Sequence, residues 1–367
     1  MPEKKSEAFS KPDTLLLTLV LILVTTGLLV LFSASEYNGR VRFHDSAYYF
    51  KKQLFATALG LGVMYIVSSI NYHFFIRLAP AAYLLSMILS TAVLLIGQEI
   101  NGSRRWLSFG PLSFQPSEFA KVSVVLFLTW QIERSHKRTD GFWFMCRTML
   151  TLLPIVGLVG SNNLSTAIII LGIGVILIFA ASPRYIQFAA LGGAGIGFIA
   201  IFLAAESYRL ERLAIWREPE KYEKGFQTIQ GLYAIGSGGI FGKGFGNSLQ
   251  KLGFVPEAQN DMIFSIVCEE TGILGAFLTL FLFGILIWRL CILALNCRDL
   301  QGTLLCAGIM AHMAIQVVLN VAVVTNTIPN TGITLPFVSY GGTSVVFLLG
   351  EMGLALSVSS HRHGRIT

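Results

Sequence analysis

Charge is what this 367-residue sequence has least of. Asp, Glu, Lys and Arg make up 13% of it, against about 25% in an ordinary soluble domain, which excludes a large water-soluble enzyme. Histidine is sparse too, at six residues, and no Ser/His/Asp arrangement marks a hydrolase. The five cysteines (Cys146, Cys268, Cys291, Cys297 and Cys306) form no CxxC. They read as small apolar packing residues, not as a disulfide framework or a zinc site. There is no G-x-x-x-x-G-K-[ST] loop, and no strand precedes a glycine-rich nucleotide turn. Basic residues form no block, so nucleic acid is not an expected partner. The net charge of +7 points instead to anionic membrane lipid. The period-two alternation of a membrane barrel is also missing.

What is present is oil. Hydrophobic residues make up 54% of the chain and the mean hydropathy is +0.67. Apolar runs near 20 residues are long enough to cross a hydrocarbon core of roughly 30 Å as helices. The pattern predicts an all-α, polytopic membrane protein with ten spans, at about 14–34, 53–70, 74–97, 117–132, 145–160, 164–181, 185–205, 262–290, 301–325 and 341–360. The first run is longer than the 7–15 apolar residues of a signal peptide, and further spans follow it. Pro154 makes the fifth span the weakest. Short tails are expected at 1–13 and 361–367, with a membrane domain over 14–360. One long polar segment, 206–261, stands between the seventh and eighth spans. An even number of spans puts both termini on one side. Lys and Arg of the short loops divide thirteen to six in favour of an inside N-terminus. The long loop adds seven more to the outer face and evens the count.

Three stretches carry polar chemistry. In "EINGSRRWLSFGPLSFQPSEFAKVSVV" (99–125), Pro116 opens an apolar helix, and Glu118 and Lys121 share a face at i, i+3. A lysine ahead of a mostly apolar run is expensive in lipid and is expected to face a polar interior. Arg104 and Arg105 just upstream suit an anionic head group, or an ordinary interfacial belt. In "GLYAIGSGGIFGKGFGNSLQKLGFVPEAQND" (231–261), eight glycines and Lys243 fit a flexible phosphate-contacting loop or a mobile linker. Asp261 ends that stretch, and two readings of it stay open. It is a favoured N-cap for the eighth span, or a surface carboxylate able to accept a proton or bind a divalent cation. Glu269 and Glu270, about two turns deeper, cannot readily face lipid. In "NTIPNTGITLPFVSYGGTSVVFLLGEMGLAL" (326–356), non-helical backbone at membrane depth must be buried in protein or line a cavity. Ser339 is among its candidate lining groups.

"NGSRRWLSFGPLSFQPSEFAK", "GSGGIFGKGFGNSLQKLGFVPEAQNDMIFSIVCEETG" and "NTGITLPFVSYGGTS" resemble the SEDS family of shape, elongation, division and sporulation proteins (FtsW, RodA, SpoVE). The "GNSLQK" stretch is more like the FtsW/SpoVE branch than RodA. The resemblance covers nearly the whole chain and implies a peptidoglycan glycosyltransferase of the bacterial cytoplasmic membrane. Such an enzyme polymerises lipid II into a nascent glycan strand at the outer face, beside a class B penicillin-binding protein that supplies transpeptidation. A lipid II flippase or another membrane transporter is the alternative reading. The family's P-E-A-H-T-D aspartate matches Asp261, which implies the catalytic base and a ligand for Mg²⁺ or Mn²⁺. Its Q-P-S-E-x-x-K motif matches Gln115 to Lys121. Gln115, Glu118, Lys121, Arg104, Arg105, Lys243 and Ser339 are the substrate-binding candidates. Two departures stand out: Gln259 and Asn260 replace His and Thr, and Asn163 replaces a carboxylate.

Overall fold

In a computed structural model of the chain, the described residues are 12–100, 103–109, 112–135, 142–182 and 213–361, with Gly192, Gly193, Gly195 and Gly197. The helices are α1 (Thr14–Phe43), α2 (Tyr48–Ser69), α3 (Tyr72–Arg77), α4 (Ala79–Ile96), α5 (Pro116–Arg134), α6 (Phe142–Asn162), α7 (Leu164–Ala181), α8 (Phe226–Ser237), α9 (Ile263–Leu295), α10 (Leu300–Val324) and α11 (Gly342–Ser360). Nine of the ten expected spans coincide with long helices among the described residues. The seventh, 185–205, and the start of the long loop lie outside them.

Among the described residues, seven helices are long and apolar enough to cross a membrane: α1, α4, α6, α7, α9, α10 and α11. The other two long helices are α2 and α5, and α5 shows why hydropathy alone understates a span. Glu118, Lys121, Ser123, Thr129 and Gln131 on it are all buried inside the protein, so its polarity never meets lipid. Pro154 does not break α6. The Tyr83 hydroxyl donates to the Thr151 carbonyl at 2.5 Å, beside the turn where the proline lacks a donor.

Lipid tails are as apolar as leucine, so helices associate here through close packing. The contact of α2 with α11 illustrates this. A Cβ on Gly353 would stand 2.7 Å from the Met64 carbonyl, and one on Gly60 would stand 2.7 Å from Leu349 Cδ1. Also packed together are α9 with α10, α4 with α5, α7 with α10, and α1 with α9.

The two ends of the bundle differ. At one end Asp13 caps α1 by accepting from Leu16 N (3.0 Å) and pairs with Arg289 of α9 (2.6 Å). Asp13 N also donates to Ser359 Oγ at 3.1 Å, so the start of the first helix meets the end of the last. Asp261 lies 28 residues before Arg289, roughly 40 Å along α9 at 1.5 Å per residue, at the other end. That end also holds an antiparallel meander the sequence pattern did not reveal: β1 (Gln98–Ile100), β2 (Ser103–Phe109) and β3 (Leu112–Phe114).

The polar loop is no free linker. Beyond two short 3₁₀ turns and α8, its glycine-rich part is built into the membrane helix that follows. Helix α9 is broken at Gly272, whose φ is 67° and ψ −167°, a conformation essentially restricted to glycine. The break frees backbone groups, and residues 239–244 take them up. Lys243 N donates to the Glu269 carbonyl (2.9 Å) and Gly244 N to that of Glu270 (3.0 Å). In return, Ile273 N and Leu274 N donate to the carbonyls of Gly239 (2.9 Å) and Ile240 (3.2 Å). Irregular backbone at this depth is stable only when satisfied within the protein, and here the loop satisfies it.

Candidate active site

The acids of 257–270 separate by partner. Glu269 is fully buried and accepts from Lys243 Nζ (2.6 Å), Ser248 Oγ, Leu249 N (3.2 Å) and Gln250 N (3.2 Å). Glu270 accepts from Ser33 Oγ (2.6 Å) and Lys251 Nζ (2.9 Å), and all three residues are buried. Both acids therefore clamp the loop to the bundle. Lys243, expected at a phosphate, has the Glu269 carboxylate as its partner. Glu257 organises the turn, accepting from Asn260 Nδ2 (2.8 Å) and Arg42 (3.3 Å).

Asp261 is different. It does not cap α9: the N-cap is Met262, with no side-chain cap bond. Its carboxylate accepts from Gln227 Nε2 of α8 at 3.4 Å, and a Cβ on Gly332 would stand 4.0 Å from its Oδ2. Its main chain is fixed by Asn320, whose Nδ2 donates to the Asp261 carbonyl (2.8 Å) and the Ile333 carbonyl (2.7 Å). The half-buried carboxylate is thus held at a rim between α8, the end of α10 and the segment 331–334.

That segment is the spine of the site. Ser165 at the start of α7 donates to the Thr331 carbonyl (3.0 Å), Asn320 to that of Ile333, and Gln316 Nε2 to that of Thr334 (3.1 Å). Lys121 Nζ donates to Gln316 Oε1 at 3.0 Å and pairs with Glu118 at 3.0 Å. Asp261 beside Gly332 and, through Gln316, Lys121 with its partner Glu118 are therefore tied to one four-residue strip. The lysine is 2% exposed, so it braces the strip from beneath. Gln115 occupies the N-cap position of α5, where its carbonyl accepts from Glu118 N (3.1 Å) and its side chain makes no cap bond. Ser339 is buried and turns its hydroxyl back to accept from Leu335 N at 2.8 Å. It shapes the turn after the strip.

Arg104 and Arg105 stand on β2 against the α6–α7 turn. Arg105 Nε donates to the Asn162 carbonyl (3.1 Å), and Asn162 Nδ2 to the Arg104 carbonyl (2.7 Å). They line a cleft with Ser90, Ser117, Asn162 and Asn163, where the N-terminal ends of α5 and α7 converge. Asn163 caps α7 through Thr166 N (3.2 Å), a role its amide oxygen fills without a charge. Gln259, the other departure, is buried and accepts from Asn38 Nδ2 (2.8 Å) and Tyr340 N (2.8 Å).

The expected divalent cation finds one carboxylate, Asp261. Among the described residues no three His, Cys, Asp or Glu side chains form a group able to hold a metal ion. Magnesium ions often bind one or two carboxylates and complete their shell with substrate phosphates and water. Not anticipated from sequence were His312, Gln316 and Asn320, one polar stripe on α10. Their signal is legible in retrospect as H-x-x-x-Q-x-x-x-N, polar residues every fourth position in an apolar helix.

Comparison with known proteins gives concordant results. The family described as "Cell cycle protein" (FtsW, RodA, SpoVE) matches residues 13–364. Stage V sporulation protein E of Bacillus subtilis is 37% identical over 365 residues, covering 96% of this chain and 98% of the relative. A probable peptidoglycan glycosyltransferase FtsW of Trichlorobacter lovleyi is 33% identical, covering 97% and 95%. A chain of a peptidoglycan synthase complex that coordinates polymerization and crosslinking superposes with a TM-score of 0.82 at 30% identity, covering 96% of this chain and 99% of that one. The rod shape determining protein RodA of Thermus thermophilus gives 0.71 at 29% identity, covering 99% of each.

Proposed function

This chain belongs to the FtsW, RodA and SpoVE family of cell cycle proteins, and from that membership we propose that Asp261 is the general base of its glycosyl transfer. The chain is a multi-pass membrane protein and a peptidoglycan glycosyltransferase. The supporting observation is that Asp261 leaves the cap of α9 to Met262 and instead points to the rim beside Gly332.

In this reading the acceptor is the N-acetylglucosamine of lipid II. Its 4-hydroxyl gives its proton to Asp261 as the oxygen attacks the anomeric carbon of the nascent strand. A carbon–oxygen bond forms on one face while the bond to the lipid diphosphate breaks on the other, and the bonding pair leaves with the diphosphate. The configuration inverts. Negative charge develops on that diphosphate, and Arg104 and Arg105, in the cleft at the ends of α5 and α7, would meet it. Glu118 and Lys121 neutralise each other and keep the strip 331–334 in register with Asp261. A Mg²⁺ or Mn²⁺ ion would have Asp261 as its protein carboxylate and would supply charge neutralisation at the diphosphate. The rim faces outward, because the opposite end of the bundle gathers Asp13 and Ser359 near the termini and the short-loop charge favours an inside N-terminus. The active partner for crosslinking is a class B penicillin-binding protein.

Purified protein supplied with lipid II tests this. Asp261→Asn should bind lipid II yet lose about 10²–10⁴-fold in polymerisation, the usual weight of a general base. Glycan made at the parent rate by that variant would end the assignment.

A further inference from the structure

Helices α5, α10 and α11 bury a polar chain between them: Glu118, Lys121, Gln316, His312 and Glu351, each at most 6% exposed. The links are Glu118–Lys121 (3.0 Å), Lys121 Nζ to Gln316 Oε1 (3.0 Å), His312 Nε2 to the same oxygen (2.8 Å), and His312 Nδ1 to Glu351 Oε2 (2.7 Å). Hydrogen counting fixes most of it. The Thr334 carbonyl only accepts, so the nitrogen of Gln316 must face it. The ammonium of Lys121 only donates, so the Gln316 oxygen must face Lys121. That same oxygen receives His312, so Nε2 carries a hydrogen. Nδ1 and Glu351 then share one further proton, whichever of the two holds it, and the couple is neutral as a unit. With Glu118 offset by Lys121, the whole chain is neutral in the bilayer interior.

We propose that His312 is a positioning residue for glycosyl transfer, acting through Gln316, with Glu351 fixing which ring nitrogen donates. Lys121 and the Thr334 carbonyl set which way round the Gln316 amide lies, and His312 adds the second donor that holds its oxygen in place, and with it the Thr334 carbonyl and the strip beside Asp261. The inference rests on the reading above that Asp261 and this strip form the reaction site.

The test uses the full-length protein and lipid II, with kcat and KM measured separately. His312→Phe removes the donor and should lower kcat roughly 10–100-fold, the usual effect of losing an outer-shell orienting group, with KM changed less than about threefold. His312→Gln places an amide N–H near the position of Nε2 and should restore most of that loss. In a Gln316→Leu background, His312→Phe should have no further effect, because its route of action is already gone. If His312→Phe does not fold, Glu351→Leu substitutes for it: the ring stays, its tautomer is released, and kcat should again fall. Full kcat in His312→Phe or Glu351→Leu, no rescue by His312→Gln, or multiplicative losses with Gln316→Leu would each overturn the inference. Asp261→Asn separates the two layers. An active Asp261→Asn defeats the reaction-site reading, whereas an inactive Asp261→Asn beside an active His312→Phe defeats only this inference.

Discussion

Replacing Gly272 by alanine should be among the most damaging single changes available in α9. Two effects add. The backbone at φ 67°, ψ −167° lies in a region essentially reserved for glycine, and holding another residue there costs about 1–3 kcal/mol. The new methyl would also press on the Gly242 nitrogen and the Ile240 carbonyl, which are backbone atoms and cannot swing aside. Relieving that contact moves residues 239–244 off the helix and endangers four hydrogen bonds: Lys243 to Glu269, Gly244 to Glu270, Ile273 to Gly239, and Leu274 to Ile240. At about 1 kcal/mol each, the combined loss is roughly 5–7 kcal/mol, comparable to the whole stability of many domains. Gly284 on the same helix is the control, since a Cβ there meets nothing within 4 Å and alanine favours helix by about 1 kcal/mol. Thermal unfolding of purified protein in one detergent reads the difference. Gly272→Ala should drop the midpoint by on the order of 10 °C or more, or fail to give folded protein, while Gly284→Ala should match or slightly exceed the parent. Equal midpoints for the two variants would show that the loop does not complete the broken helix.

Lys251→Met should leave Glu270 buried without its cation and destabilise the protein by about 3–5 kcal/mol, and Lys251→Met with Glu270→Gln should recover part of that; a milder single than double variant in urea or heat unfolding refutes it. Asn320→Leu withdraws donors from the Asp261 and Ile333 carbonyls, so polymerisation should fall severalfold or more while lipid II still binds; unchanged turnover would show that the strip needs no such tie. At the loop before α10, burial pushes the Asp299 carboxyl up, but hydrogen bonds from His73, Tyr72 and Gly302 N outweigh it and hold the group below its ordinary value. A depressed value means the stabilisation is present above the unfolded pKa and disappears as pH falls through the folded one. Asp299→Asn should therefore weaken the protein near neutrality and converge with the parent in strong acid, as followed by unfolding against pH. Because no three-ligand metal group is present among the described residues, neither chelator nor millimolar Mg²⁺ should shift the melting midpoint without substrate; a clear shift would reveal a preformed site.

The helical membrane architecture was legible because hydropathy and length are local properties. Glu118 and Lys121 were legible as a pair because i, i+3 spacing on a helix settles it. Whether Asp261 caps α9 was not, since that depends on where α9 starts, and the helix begins one residue later, with Met262 at the N-cap. The structural role of the glycine-rich loop was not legible for a different reason. Glycines that bring backbone amides close to an oxyanion also bring them close to carbonyl groups, and composition does not distinguish a phosphate from a broken helix. Lys251, counted as loop charge, lies buried against Glu270, a pairing across 19 residues that no local pattern encodes.

The splice between residues 239–244 and α9 also bears on how the chain is made. The loop emerges from the ribosome before the helix it completes. During insertion α9 must enter the bilayer with a gap in its ladder, and unsatisfied peptide groups in hydrocarbon are costly. Entry of α9 and retrieval of the loop are therefore expected to be one event. A segment that looks like an external domain is, in assembly terms, part of a transmembrane element. Foreign sequence inserted between Gly239 and Gly244 should impair membrane integration itself, whereas an insertion near the 3₁₀ turns at Pro219–Lys221 should be borne much more easily.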